Sequence, residues 1–307
     1  MDTQAITPQR LSTSVIAVPP LARSADLRLD IQQNRRMVQH LEAGGVSTLL
    51  YGGNAVLYHV ALSEYADLLQ MLKELSGEQT LMIPSIGPAF GLMMDQVAVL
   101  KDFGFPTAMV LPQVEIATSD GIATGIRLVA DRWGKPVVLY IKHDGYIAPK
   151  TVARLVQDGL VNWIKYAVVR DDPARDDYLK ALTEHTDPKR IVSGIGEQPA
   201  IVHLRDFSCG GFTSGCVCVA PRLSMQLMHA VHAGDFDRAE TIRALFSPLE
   251  DLRNSIHPIR VLHAAVSLAG IAETGPILPL MSPVDQCDQA EIERAARKLL
   301  QDNGEVV

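Results

Sequence analysis

The sequence predicts a TIM-type (β/α)8 barrel followed by a C-terminal helical extension. Three observations carry that expectation. Short apolar runs alternate with longer amphipathic stretches along roughly the first three quarters of the 307 residues. Eight such runs occur, enough to favour a closed barrel over an open doubly wound sheet. Beyond Pro221 the strand signal stops and only helical patterns remain.

The apolar runs are Ser14–Val18, Ser47–Tyr51, Leu81–Pro84, Thr107–Leu111, Pro136–Ile141, Val161–Lys165, Arg190–Ser193 and Gly211–Val219. Several are rich in Val and Ile and bounded by Gly or Pro, as parallel strands buried on both faces should be. The first ends in Val18-Pro19-Pro20 instead of the Gly-x-Gly-x-x-Gly of a dinucleotide-binding turn. The intervening stretches carry helical spacing. Leu29–Ala43 sets Ile31, Met37, Val38 and Leu41 on one face, and Ser63–Leu75 does the same with Leu68, Leu69, Leu72 and Leu75. Ser63 is the expected N-cap of the latter. At the C-terminus, Leu223–Ala233, Asp235–Asn254, Pro258–Leu268 and Ala290–Gln301 read as helices punctuated by Gly234, Pro258 and Gly275-Pro276. The expected division is a barrel carrying the active site over residues 1–230 and helices packed on it over 231–307.

Composition is that of an ordinary globular chain, with 47% hydrophobic and 21% charged residues. A formal net charge of -7 offers no broad electropositive surface, so nucleic acid is not an expected partner. Neither a signal-peptide pattern nor an apolar run long enough for a membrane span is read, so the expected location is the cytoplasm, away from membranes. The four cysteines, Cys209, Cys216, Cys218 and Cys287, do not form a disulfide framework.

In a barrel of this kind, reactive groups sit at the carboxyl ends of the strands. Two strand ends stand out. Tyr140 lies near the end of the fifth predicted strand, and Lys165 closes the apolar sixth. Burial disfavours a charged lysine and can lower its pKa by ~3–5 when complete. A neutral amine can attack a ketone and form an imine, whose protonated form draws electrons from adjacent bonds. A neighbouring tyrosine can shuttle protons. The residues alone also allow a plainer reading, in which Lys165 is solvated or paired with Asp171 or Asp172 and Tyr140 is a core residue.

Taken together, the motifs resemble the dihydrodipicolinate synthase / N-acetylneuraminate lyase family over nearly the whole chain. Ser14–Pro20 resembles its opening strand, and Gly52-Gly53-Asn54-Ala55 stands where the family has a Gly-Thr-Thr-Gly loop, ahead of Ser63-Glu64. Leu139-Tyr140 and Trp163-Ile164-Lys165 match the strands carrying the family's tyrosine and imine lysine. Val192-Ser193-Gly194, Gly211-Phe-Thr-Ser-Gly215 and Leu278–Pro283 resemble later family segments. The resemblance implies a homo-oligomer, a tetramer or dimer. It also implies class I aldolase-type chemistry on a pyruvate-type 2-keto acid, with no metal or external cofactor. Lys165 would be the imine lysine and Tyr140 the proton shuttle, with Gly53, Asn54, Thr213 and Ser214 binding substrate.

The sequence also departs from the family. The two loop threonines are replaced by Gly53 and Asn54, whose backbone N–H groups can still cradle a carboxylate. Gly145 stands at the position of the synthase's substrate-binding arginine, leaving Lys142 or His143 to serve, and no tyrosine follows the fourth strand in Leu111-Pro112-Gln113-Val114. These absences favour a lyase of sugar-acid catabolism, an aldolase or a dehydratase, over dihydrodipicolinate synthesis proper. A non-catalytic small-acid-binding barrel is the reading from another class. A phosphate-binding isomerase would draw on Gly194-x-Gly196 and Gly210-Gly211.

The remaining candidates are expected to be structural. Cys216-x-Cys218 places two thiols on one face of a strand, read as buried small apolar residues, not as metal ligands. Glu197 is expected either at the mouth of the barrel or on a surface loop. The histidines show no metal-ligand spacing.

Overall fold

The computed structural model describes residues 1–304. Helix α1 (Pro8–Leu11) precedes β1 (Ile16–Ala17), followed by α2 (Ile31–Ala43), β2 (Thr48–Leu50), α3 (Leu62–Leu75), β3 (Leu81–Ile83) and β4 (Ser85–Ile86). The chain continues through α4 (Phe90–Leu100), β5 (Met109–Val110), α5 (Ser119–Trp133), β6 (Val137–Ile141), α6 (Pro149–Gln157) and β7 (Val161–Tyr166). Next come α7 (Asp177–His185), β8 (Ile191–Ser193), α8 (Ala200–Asp206), β9 (Gly211–Ser214) and α9 (Pro221–Ala233). Helices α10 (Phe236–Ser255), α11 (Pro258–Leu268) and α12 (Gln286–Asp302) follow without further strands among the described residues.

All strand pairs are parallel, in the order β3-β2-β1-β9-β8-β7-β6-β5-β4. The two ends of that order are consecutive pieces of chain separated only by Pro84. Tyr51 donates its N–H to Ile83 on one side of the break, and Met109 donates to the Pro84 carbonyl on the other. Proline has no N–H to contribute to a ladder, so one barrel strand reads as two segments. The nine segments therefore occupy eight barrel positions, and the expected TIM barrel is the observed fold. Every strand residue from β1 through β9 is buried, which explains the near-continuous apolar runs.

Helix ends follow local chemistry. Asp30, Thr118, Asp176 and Asp235 each accept a backbone N–H through the side chain at the start of α2, α5, α7 and α10. Ser63 does not cap α3: the helix begins one residue earlier, with Ala61 in the cap position. The adjoining Glu64 is held by a two-pronged ion pair with the buried Arg23, at 2.7 and 2.9 Å. The run Gly211–Val219 is also shorter than expected. Strand β9 stops at Ser214, and Cys216–Cys218 forms a 3-10 turn, so those thiols do not share a strand face. Both are fully buried, in keeping with small core residues.

Helix α10 lies against α8 and α9, and α11 and α12 close around it. The last turn of α10 and the start of α11 reach the carboxyl end of the barrel, where Arg253, Ile259 and Leu262 face a cleft. The helical extension thus forms part of the site's wall.

Candidate active site

Alternation along β7 decides where Lys165 points. Its successor Tyr166 turns outward and donates its hydroxyl to Asp176 at 2.6 Å, the residue that caps α7. That anchor on the helical layer leaves Lys165 directed into the mouth of the barrel. Tyr140 on β6 is its cross-strand partner, so the two side chains leave the sheet on one face. The Lys165 Nζ sits 4.6 Å from the centre of the Tyr140 ring. Among the described residues no carboxylate pairs with this amine, and Asp172 is instead engaged by Arg175. The salt-bridged alternative for Lys165 is therefore not what the fold builds.

Lys165 is 5% exposed. Burial, reinforced by the positive charges of Lys142 and Arg253, pulls its pKa down to about 7. At neutral pH a large share of the amine is consequently uncharged and nucleophilic. Burial pushes the Tyr140 hydroxyl up to about 12, so it enters any reaction as a proton donor.

These two residues line a cleft of about 130 Å³ together with Gly53, Asn54 and Thr213. Among the described residues the backbone N–H groups of Gly53 and Asn54 find no backbone acceptor. The Asn54 side chain donates to the Val18 carbonyl at 2.9 Å, tying the loop after β2 to the end of β1. A Cβ on Gly52 would lie 2.5 Å from the terminal methyl of Met109 and 3.0 Å from the Ser85 hydroxyl, so glycine lets the loop pack closely on those side chains. The loop then turns through Val56, a β-branched residue at φ 54. Such left-handed strain concentrates at functional sites. Here it presents Tyr58 to the cleft, a second phenol that the sequence did not single out.

Ser214 stands apart from the other expected binding residues. Next to the inward Thr213, it turns outward and donates to Glu197 at 2.7 Å. Glu197 itself is neither at the mouth nor on the surface. It is fully buried, accepts a second hydroxyl from Ser224 of α9, and lies beside Glu250 of α10. Glu197, Cys216 and Glu250 place their ligand-type atoms within 4.8 Å of one another. Both Glu197 oxygens already accept hydroxyl donors, and burial beside Glu197 and Glu250 holds the Cys216 thiol firmly protonated. The cluster is built as a hydrogen-bonded pair of glutamates behind the cleft.

Lys142 lines the mouth of the cleft and His143 does not. Gly210 and Gly211 open β9 at the opposite end of the barrel. A Cβ on either would strike backbone, at Lys189 and at Leu11, so their role is close packing, not phosphate binding. Gly194 is needed for a similar reason at the carboxyl end of the strands: its Cβ would meet Ala167, the Tyr166 carbonyl and the Lys165 stem.

Fold and site together define a (β/α)8-barrel enzyme with a buried amine and a phenol at the carboxyl ends of adjacent strands. The chain belongs to the dihydrodipicolinate synthetase family, whose pattern matches residues 12–299, and the members of that family are lyases. Among its relatives is a probable 5-dehydro-4-deoxyglucarate dehydratase of Rhizobium meliloti (strain 1021), 25% identical over 278 residues, covering 88% of this chain and 90% of the relative. Another is a 4-hydroxy-tetrahydrodipicolinate synthase of Corynebacterium jeikeium (strain K411), 24% identical and covering 93% of each chain. The fold is shared with dihydrodipicolinate synthase from Oceanobacillus iheyensis, at a TM-score of 0.83 and 20% identity over 97% of this chain and 98% of that one. It is also shared with an E. coli K12 prophage protein of the same family in complex with pyruvate, at a TM-score of 0.81 and 19% identity over 93% and 98%.

Proposed function

We propose that this chain is a Schiff-base lyase that acts on a 2-keto acid of sugar-acid type through Lys165, as a dehydratase or an aldolase. One observation carries the reading: a buried amine, partly uncharged at neutral pH, beside a protonated phenol, in a small cleft at the carboxyl ends of the barrel strands. The neutral Nζ adds to the substrate's C2 carbonyl carbon, and Tyr140 protonates the oxygen as it becomes a hydroxyl. Loss of that hydroxyl as water leaves a C2=N iminium. The iminium then accepts an electron pair from the bond to C3. If the pair comes from C3–H, the Tyr140 phenolate takes the proton and returns it to the C4 hydroxyl, which the enamine expels as water. If it comes from C3–C4, the phenolate takes the C4 hydroxyl proton, the chain is cleaved and an aldehyde departs. The C1 carboxylate is placed on the Gly53 and Asn54 N–H groups, with Thr213 at the side of the cleft.

The synthase relatives make dihydrodipicolinate synthesis the second reading. It has less support, because Gly145 cannot supply the family's arginine and no tyrosine follows β5. Purified protein assayed against a panel of 2-keto-3-deoxy sugar acids should turn over at least one of them, and Lys165→Met should abolish that turnover. Turnover that survives in Lys165→Met overturns the proposal. So does binding of these acids to the wild type without any product.

A further inference from the structure

Building on the Schiff-base reading, we propose that Arg253 grips a second carboxylate at the far end of the substrate, making the natural substrate class 2-keto dicarboxylic acids. Arg253 comes from the last turn of α10, yet its side chain lines the cleft that holds Lys165 and Tyr140. Its Nη1 is buried and has no hydrogen-bond partner among the described residues. Its ion pair to Glu250 Oε1 is 3.5 Å long, and that oxygen already accepts the Glu197 N–H at 2.9 Å.

The surroundings leave the charge of Arg253 available. Burial raises the pKa of Glu197, and the hydroxyl donors Ser224 and Ser214 oppose that rise by favouring its carboxylate form. Glu250 is buried against that carboxylate and is held well above the usual range, so it keeps its proton. A neutral Glu250 positions the guanidinium without cancelling it. The result is a mostly buried cation whose Nη1 is seated against Glu250 while the side chain lines a substrate cleft, an arrangement that can recognise carboxylates.

Position in the barrel assigns the end of the substrate. The Gly53–Asn54 turn follows β2, whereas the Arg253 head lies against Gly196, which follows β8, with β9 and β1 between them in the sheet order. A Cβ on Gly196 would come within 3.2 Å of the Arg253 Nη1, so the open backbone there leaves the guanidinium room. One carboxylate beside the imine and another against Arg253 would span the cleft.

The test compares 2-oxoadipate with 2-oxohexanoate, its analogue lacking the second carboxylate, by ligand-induced thermal stabilisation. Wild type should bind the diacid at a concentration at least about tenfold lower. Arg253→Gln should lose that preference while keeping its affinity for 2-oxohexanoate, and Arg253→Lys should restore part of it. The same comparison in Lys165→Met reports on Arg253 without any imine. No diacid preference in wild type, a preference unchanged in Arg253→Gln, or equal loss of both ligands would each overturn the assignment. A diacid preference that persists in Lys165→Met while borohydride traps nothing on wild-type Lys165 would support Arg253 and refute the imine.

Discussion

Replacing Lys165 by Met should stabilise the fold while abolishing turnover, and the gain should shrink as pH rises. The folded protein holds this amine at about 7 against an ordinary 10.5. Between those values the unfolded chain binds more protons than the folded one, so this group makes stability rise with pH. Its destabilising effect is complete below the folded pKa and disappears above the unfolded one. The difference corresponds to about 4 kcal/mol near pH 7 and about 2 kcal/mol near pH 9. Methionine retains an unbranched stem of similar shape and removes the buried charge. Urea denaturation of both proteins, at equal concentration and at the two pH values, reads this directly. The variant should be more stable at both, with roughly twice the gain near neutrality. A less stable variant, or a gain independent of pH, would refute the claim that burial depresses Lys165.

Three other substitutions probe separate parts of the account. Tyr140→Phe should lower kcat by about 10²–10⁴-fold with little change in fold stability, measured by steady-state kinetics beside thermal melts. Gly194→Ala introduces a Cβ 2.8 Å from Ala167 and 3.1 Å from the Lys165 Cγ. It should cost about 1–3 kcal/mol of stability by thermal denaturation and slow imine formation by displacing the lysine stem. Ile116 is 86% exposed beside the part-exposed Val114 and Phe90, an apolar face suited to a second copy of the chain. Wild type is expected to be a homo-oligomer by light scattering, and Ile116→Asp should shift it toward smaller species.

The barrel was legible because buried parallel strands read as short apolar runs bounded by Gly and Pro, and all eight runs fall on barrel strands. Lys165 and Tyr140 were legible for a related reason, since a charged or phenolic residue closing such a run is conspicuous. Periodicity failed where burial continued beyond the ladder. The Cys216–Cys218 turn is as apolar as a strand and cannot be separated from one by pattern. Ser63 carried a capping side chain, but the actual start of α3 at Leu62 put it inside the first turn. Glu197 read as a carboxylate of the barrel mouth or of a surface loop because its hydroxyl partners, Ser214 and Ser224, come from β9 and α9. Arg253 gave no signal at all: within an amphipathic helix full of charges, only the packing of α10 on the barrel brings it to the cleft. Tyr58 was hidden similarly, being delivered by a strained turn after Val56.

The most direct test of the central claim is borohydride trapping with pyruvate, followed by peptide mass analysis across a pH series. An irreversible adduct should appear on the Lys165 peptide alone. Its rate of formation should climb about tenfold per pH unit below the amine's pKa of about 7 and level off above it. No adduct with pyruvate or any other 2-keto acid, or an adduct on a different lysine, would contradict the assignment of Lys165 as the imine-forming residue.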